Sequence, residues 1–283
     1  MRRASRRFRN FIATITAVAM AFLVAAAGFA QGANSVGPAE PFGRSRDSIP
    51  KTYIVSFGLF GPESVFESEA KQAAQILGTR LHSDGHVLVR YNDKRGGTAT
   101  LASLAEALRS AGMAMNPDND ILVVFLTSHG NAKGLAVVAG RRSEMLSPRS
   151  LRSMLNATRA KYRVVIISAC YSGVFARALA SPRTLVITAA AANRSSFGCE
   201  DGATWTYFGD AFFNQALRST KTLDEAFCRA RQIVTLRERR GGFKPSKPQM
   251  AGGSEVLELL AGAADRGVNL RLERRGEPRC EAR

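Results

Sequence analysis

The chain has 283 residues, 45% hydrophobic and 22% charged, a composition that excludes a disordered protein and fits a globular one. Its formal charge is +17, but the basic residues lack the interleaved aromatics of a nucleic-acid face, so the charge argues for a basic soluble surface and against nucleic-acid binding. Three histidines and no Cys-x-x-Cys spacing exclude a histidine-rich or zinc-ribbon metal site.

The N-terminus reads as a targeting segment. Met1–Asn10 holds five arginines and no acid, and residues 11–30 are almost wholly apolar, with Gly28 and Ala30 placed for a cut after Ala30. Residues 1–30 are thus expected to be a secretory signal peptide or, if uncut, a membrane anchor. Residues 31–51, with Gly, Pro and Ser, read as a flexible leader.

Thr52–Phe57 is β-branched and aromatic and predicts a first strand. A turn follows, then a helix over Ser64–Leu77 that stops at Gly78. Val87–Tyr91 predicts a second strand. Thr98 is placed to cap a helix over Ala99–Ser110. Ile121–Thr127 is apolar to its last residue, as a strand buried on both faces requires. Gly134–Val138 fits a short hairpin arm, and Ser147-Pro148 starts a helix over Arg149–Thr158.

Arg163–Ser168 and Thr184–Thr188 are further strands, separated by a short helix over Gly173–Ala180. Helices are expected over Trp205–Leu217 and Leu223–Arg237, the second with Cys228 facing the core. Lys244–Ala251 reads as an extended edge strand, and residues 271–283 as a charged tail. Strands alternating with helices predict an α/β fold: a mostly parallel sheet in a three-layer α/β/α sandwich, here one domain over residues 52–270.

Two strands end in chemistry. The run from Ile121 ends in Ser128-His129-Gly130, and the run from Val164 ends in Ala169-Cys170-Tyr171-Ser172-Gly173. A thiol attacks a carbonyl as thiolate, and an imidazole within reach supplies or stabilises that state. The ends of parallel strands share one edge of the sheet, so His129 and Cys170 are the candidate base and nucleophile. Gly130 lets a backbone N–H approach a substrate oxygen, with the N–H of Cys170 as second donor. Of the other cysteines, Cys199, Cys228 and Cys280, two can pair and one is left over; the sequence does not choose.

The segments F125-L-T-S-H-G130 and I167-S-A-C-Y-S-G173 resemble the catalytic blocks of the legumain-like cysteine peptidases, family C13, in the caspase–legumain–gingipain clan. The stretches T188-A-A-A-A-N-R-S-S-F-G-C199 and T206-Y-F-G-D210 are similar to the family's following blocks, and the likeness runs from about Thr52 to Met250. It implies a caspase-like sandwich, a polypeptide substrate, and no metal or organic cofactor. It implies His129 as general base or proton donor, Cys170 as nucleophile and Gly130 as oxyanion donor. Ser195 and Asp210 match two of the three residues with which legumains bind an asparagine side chain.

The third, a basic residue, has no counterpart in Gly61–Ala70, and Tyr171 stands where many members carry an acid. Cleavage after Asn or Asp is therefore an expectation that the sequence supports only in part. With the N-terminal segment, the resemblance implies an exported bacterial type, periplasmic or secreted, or held to the inner membrane. Two other readings remain open: a catalytically silent binding protein on a peptidase scaffold, and a transamidase or ligase that passes the acyl group to an amine. The oligomeric state is not legible.

Overall fold

The computed structural model describes residues 50–267, with side chains to 262. The expected signal or anchor, most of the leader, and the charged tail with Cys280 lie outside the described residues.

Seven strands form one sheet: β1 (Thr52–Gly58), β2 (Val87–Asp93), β3 (Gly96–Gly97), β4 (Ile121–Thr127), β8 (Tyr162–Ser168), β9 (Thr184–Thr188) and β10 (Gln249–Ala251), in the order β10-β9-β8-β4-β1-β2-β3. β2, β1, β4, β8 and β9 run parallel, while β10 and β3 are antiparallel edges. The chain leaves β1 for β2 on one side and returns to β4 on the other. The crevice at the carboxyl ends of β1 and β4 is thus a topological switch point, where open α/β sheets place ligands. A second, three-stranded sheet, β5 (Gly130–Asn131), β6 (Gly134–Ala139) and β7 (Arg142–Leu146), contains the expected hairpin arm.

The inner strands of the sheet are buried on both faces. All seven residues of β4 are buried, and its apolar side chains alternate between two cores: Leu122, Val124 and Leu126 face one, Ile121, Val123 and Phe125 the other. Burying those six contributes on the order of 10 kcal/mol, before the entropy of ordering them. The first core is closed by α2 (Leu101–Ala114), α3 (Pro148–Ala157) and α4 (Gly173–Leu179) through Leu104, Leu108, Leu151, Leu155 and Phe175. The second is closed by α1 (Ser64–Arg80), α5 (Tyr207–Gly209, continuing as π-helix over Asp210–Ala216), α6 (Leu223–Arg240) and α7 (Ser254–Gly267). These layers make the expected three-layer α/β/α sandwich.

Several boundaries differ from the sequence expectation. Thr100, not Thr98, caps α2, in a capping box with Ser103. The cause is Asn92, whose side chain accepts from Ala99 N and donates to Ala99 O, both at 2.9 Å, and keeps the preceding residues extended. α1 runs past Gly78 to Arg80, and Ser83 N then donates to Gly78 O to close the turn. The helix expected from Trp205 starts at Tyr207, because Thr206 is its N-cap and accepts from Gly209 N. Cys228 is only partly buried and is disulfide-bonded, whereas the core-facing side of α6 is carried by Ala226, Phe227, Ala230 and Val234.

Candidate active site

β4 and β8 pair in register, Thr127 with Ser168, and each carries a reactive side chain two residues further on. His129 and Cys170 both line one small cavity, with Phe66, Ser128, Ser196, Phe197, Cys199 and Thr206 among its walls.

The imidazole is held from several sides. Its ring meets Phe60 and Phe66 edge-to-face, with centroids 4.6 and 5.0 Å away. Its Nε2 lies 3.2 Å from Glu63 Oε2, in the loop between β1 and α1. Just beyond, the backbone turns into β5, and His129 O accepts from Ala136 N at 2.9 Å.

The thiol is held by the loop after β9. Ser196 N donates to Cys170 Sγ at 3.2 Å, and the sulfur donates to Ser196 O at 3.4 Å. Tyr171 adopts a left-handed backbone, φ 55°, and its N–H donates to Arg194 O at 2.7 Å. Ser172 Oγ accepts from Ala190 N at 3.1 Å. The turn that presents the sulfur is thereby tied to residues 190–196 at three points.

The glycines are sterically required. A Cβ at Gly130 would lie 2.2 Å from the carbonyl oxygen of Cys170, and one at Gly173 would lie 2.4 Å from Ala192 N. Gly130 packs its backbone directly on the Cys170 peptide.

The two residues matched to a side-chain pocket stand elsewhere. Ser195 is exposed, beside the Ser196 that grips the sulfur. Asp210 lies on α5, and its carboxylate accepts from Asn214 (2.8 Å), Gln215 (2.7 Å) and Arg237 (2.6 Å). Burial pushes that carboxyl up, and those three donors outweigh it, leaving it below the usual range. Neither residue is among the walls of the cavity that His129 and Cys170 share.

Sequence reasoning passed over Glu63, Glu69, Ser196 and the position of Cys199. Cys199 is a free, half-buried thiol on the same cavity as Cys170; burial pushes its pKa up, with Cys170, Glu63 and Glu200 adding to the shift. The Gly61–Ala70 stretch holds three acids, and one, Glu69, falls on the apolar stripe of α1 between Phe66 and Ala73. An acid on a buried stripe is a legible signal. Among the described residues no group of three or more His, Cys, Asp or Glu is arranged to hold a metal.

A thiol and an imidazole thus stand on adjacent strand ends of an α/β sandwich. Caspase-1 from Spodoptera frugiperda superposes with a TM-score of 0.51 at 15% identity, over 72% of this chain and 86% of that one, a likeness of fold. No curated protein matches the chain. The model of the peptidase C13 family matches residues 96–255, more than half of the chain, and the chain belongs to that family. Family and fold together support a cysteine peptidase of the caspase–legumain clan.

Proposed function

We propose that the chain is a cysteine endopeptidase whose acyl-transfer chemistry is carried by Cys170 and His129. The observation that carries this reading is the shared cavity: a free thiol and an imidazole line one cavity at the carboxyl ends of β4 and β8.

In this mechanism the Cys170 sulfur attacks the scissile carbonyl carbon, and the carbonyl electrons move to oxygen. The backbone at Gly130 and Cys170 receives that oxyanion. As the C–N bond breaks, His129 gives a proton to the leaving amine, and a thioester joins the substrate to Cys170. Water, deprotonated by His129, then attacks the thioester and releases the acid and the thiol. Glu63, 3.2 Å from Nε2, orients the ring for these transfers.

Ser195 and Asp210, outside the walls of the shared cavity, enter this reading only as the proposed contacts for an Asn or Asp side chain of the substrate. Asp210 would act through the Asn214, Gln215 and Arg237 groups it already orients. The N-terminal segment, read as a signal peptide or anchor, supports an exported activity, periplasmic or secreted or held at the inner membrane.

The test is cleavage of a peptide library by purified protein and by Cys170→Ala. Cleavage abolished in the variant supports the reading. Equal cleavage by both proteins overturns it.

A further inference from the structure

Glu69 is the one acid of α1 that is entirely buried, and none of the steps above uses it. Its carboxylate lies beneath the two strands that present the dyad. Oε2 accepts from the Thr127 hydroxyl, at the end of β4. Oε1 accepts from the Ser168 hydroxyl at 3.3 Å, at the end of β8, and from the Thr206 hydroxyl at 2.6 Å and its N–H at 3.4 Å. The Ser168 and Thr206 hydroxyls lie 3.0 Å apart, so with the Thr206 proton on Glu69 the Ser168 hydroxyl shares its one proton between Thr206 Oγ1 and Oε1.

Thr127 and Ser168 are ladder partners, and each stands two residues before a reactive side chain. The Thr206 hydroxyl also accepts from Gly209 N at 2.9 Å, so the carboxylate reaches the start of α5 as well. Room for it is reserved: a Cβ on Gly209 would sit 1.7 Å from Glu69 Oε1.

We propose that Glu69 is a positioning residue: its carboxylate ties the ends of β4 and β8 to each other and to Thr206, and so sets the spacing of His129 and Cys170. This rests on the peptidase reading of that pair. A buried carboxylate without a cation is costly, and a hydrophobic residue at this point of the stripe would pack at less cost. Four donors converging on one group is what offsets that cost. Burial raises the Glu69 carboxyl to about 7 against the lowering effect of those donors, so the clamp gains or loses a proton near neutral pH. Its contacts Thr127, Ser168, Thr206 and Gly209 are uncharged. The titratable groups next along those elements are His129 beyond Thr127, Cys170 beyond Ser168, and Tyr207 beyond Thr206.

Glutamine can keep the arrangement, since its oxygen can accept from Thr206 and its amide can donate to the Thr127 hydroxyl. Alanine cannot. The experiment compares wild type, Glu69→Gln, Glu69→Ala and a packing control, Val234→Ala on α6, in the full chain. Reactive thiol is first titrated with a peptidyl electrophile, and kcat is expressed per titrated site. Expected is a loss of about 30-fold or more in kcat for Glu69→Ala with KM within about threefold, and recovery to within about fivefold of wild type in Glu69→Gln. Val234→Ala keeps wild-type kcat per site. Where Glu69→Ala does not fold, Thr127→Val/Ser168→Ala replaces it with the same expectation.

The inference is overturned if the clamp-deleted protein matches Val234→Ala in kcat per site, or if Glu69→Gln falls as far as Glu69→Ala. A wild-type protein that titrates no thiol overturns the peptidase reading instead.

Discussion

Nε2 of His129 is 3.2 Å from Oε2 of Glu63, a contact that joins the end of β4 to the loop after β1 across the switch point of the sheet. Both side chains are about one-third exposed, so the pair is screened by solvent and its direct contribution is about 0.5–1 kcal/mol. Glu63→Gln is expected to lower kcat roughly two- to fivefold and to weaken the salt dependence of kcat. Steady-state kinetics at low and high ionic strength check both.

Gly130 has no room for a side chain, since a Cβ would press on the Cys170 carbonyl oxygen. Gly130→Ala must therefore push the sulfur-bearing turn away from the imidazole. A displacement near 1 Å at the reacting atoms costs about 100-fold in rate. The variant is expected to lose at least about that much kcat/KM, while its melting temperature falls by only a few degrees. Thermal unfolding measured alongside kinetics separates the two effects.

Glu69 makes stability depend on pH. Its folded pKa, about 7, lies above the ordinary value of 4.5. The folded state binds the proton more tightly, so this residue's contribution is fully present below pH 4.5 and is lost as pH rises to about 7. The shift corresponds to about 3 kcal/mol. Urea unfolding of wild type and Glu69→Gln should show their stability difference moving against wild type by about that amount across this interval, then levelling off. A difference independent of pH would contradict the assignment.

Asp210 behaves oppositely. Its carboxyl is held below 3.8 in the folded protein, so the stabilisation is present above that value and lost as pH falls through the folded pKa. Arg237 supplies part of it, bonding at 2.6 Å while also lying over the Tyr207 ring. Arg237→Gln is expected to cost about 1 kcal/mol at pH 7, discounted for the partial exposure of the guanidinium, and less in strong acid. Denaturant titrations at pH 7 and pH 3 measure the two penalties.

The framework was legible because it rests on local pattern. The apolar runs Ile121–Thr127 and Thr184–Thr188 are fully buried in the structure, the strand before Cys170 is buried from Val164 to Ser168, and the Ser147-Pro148 cap starts α3. What was not legible depends on distant partners. The start of α2 is set by Asn92, a residue on another element. The grip on the sulfur comes from Ser196 backbone atoms, which no side-chain pattern announces. The acids of Gly61–Ala70 looked like a missing basic residue, and only the fold shows Glu63 against His129 and Glu69 beneath both strands. The final helix, Ser254–Gly267, was absent from the sequence reading although Val256 completes a core.

The most direct measurement is covalent labelling by a thiol-reactive peptidyl electrophile, with the adduct located by mass spectrometry. Two free thiols, Cys170 and Cys199, line the same cavity, and burial keeps Cys199 in its protonated form. The account predicts a single adduct on Cys170 at neutral pH, formed at least about 100-fold more slowly in His129→Ala. Labelling shared equally between the two cysteines, or unchanged without the imidazole, would contradict it.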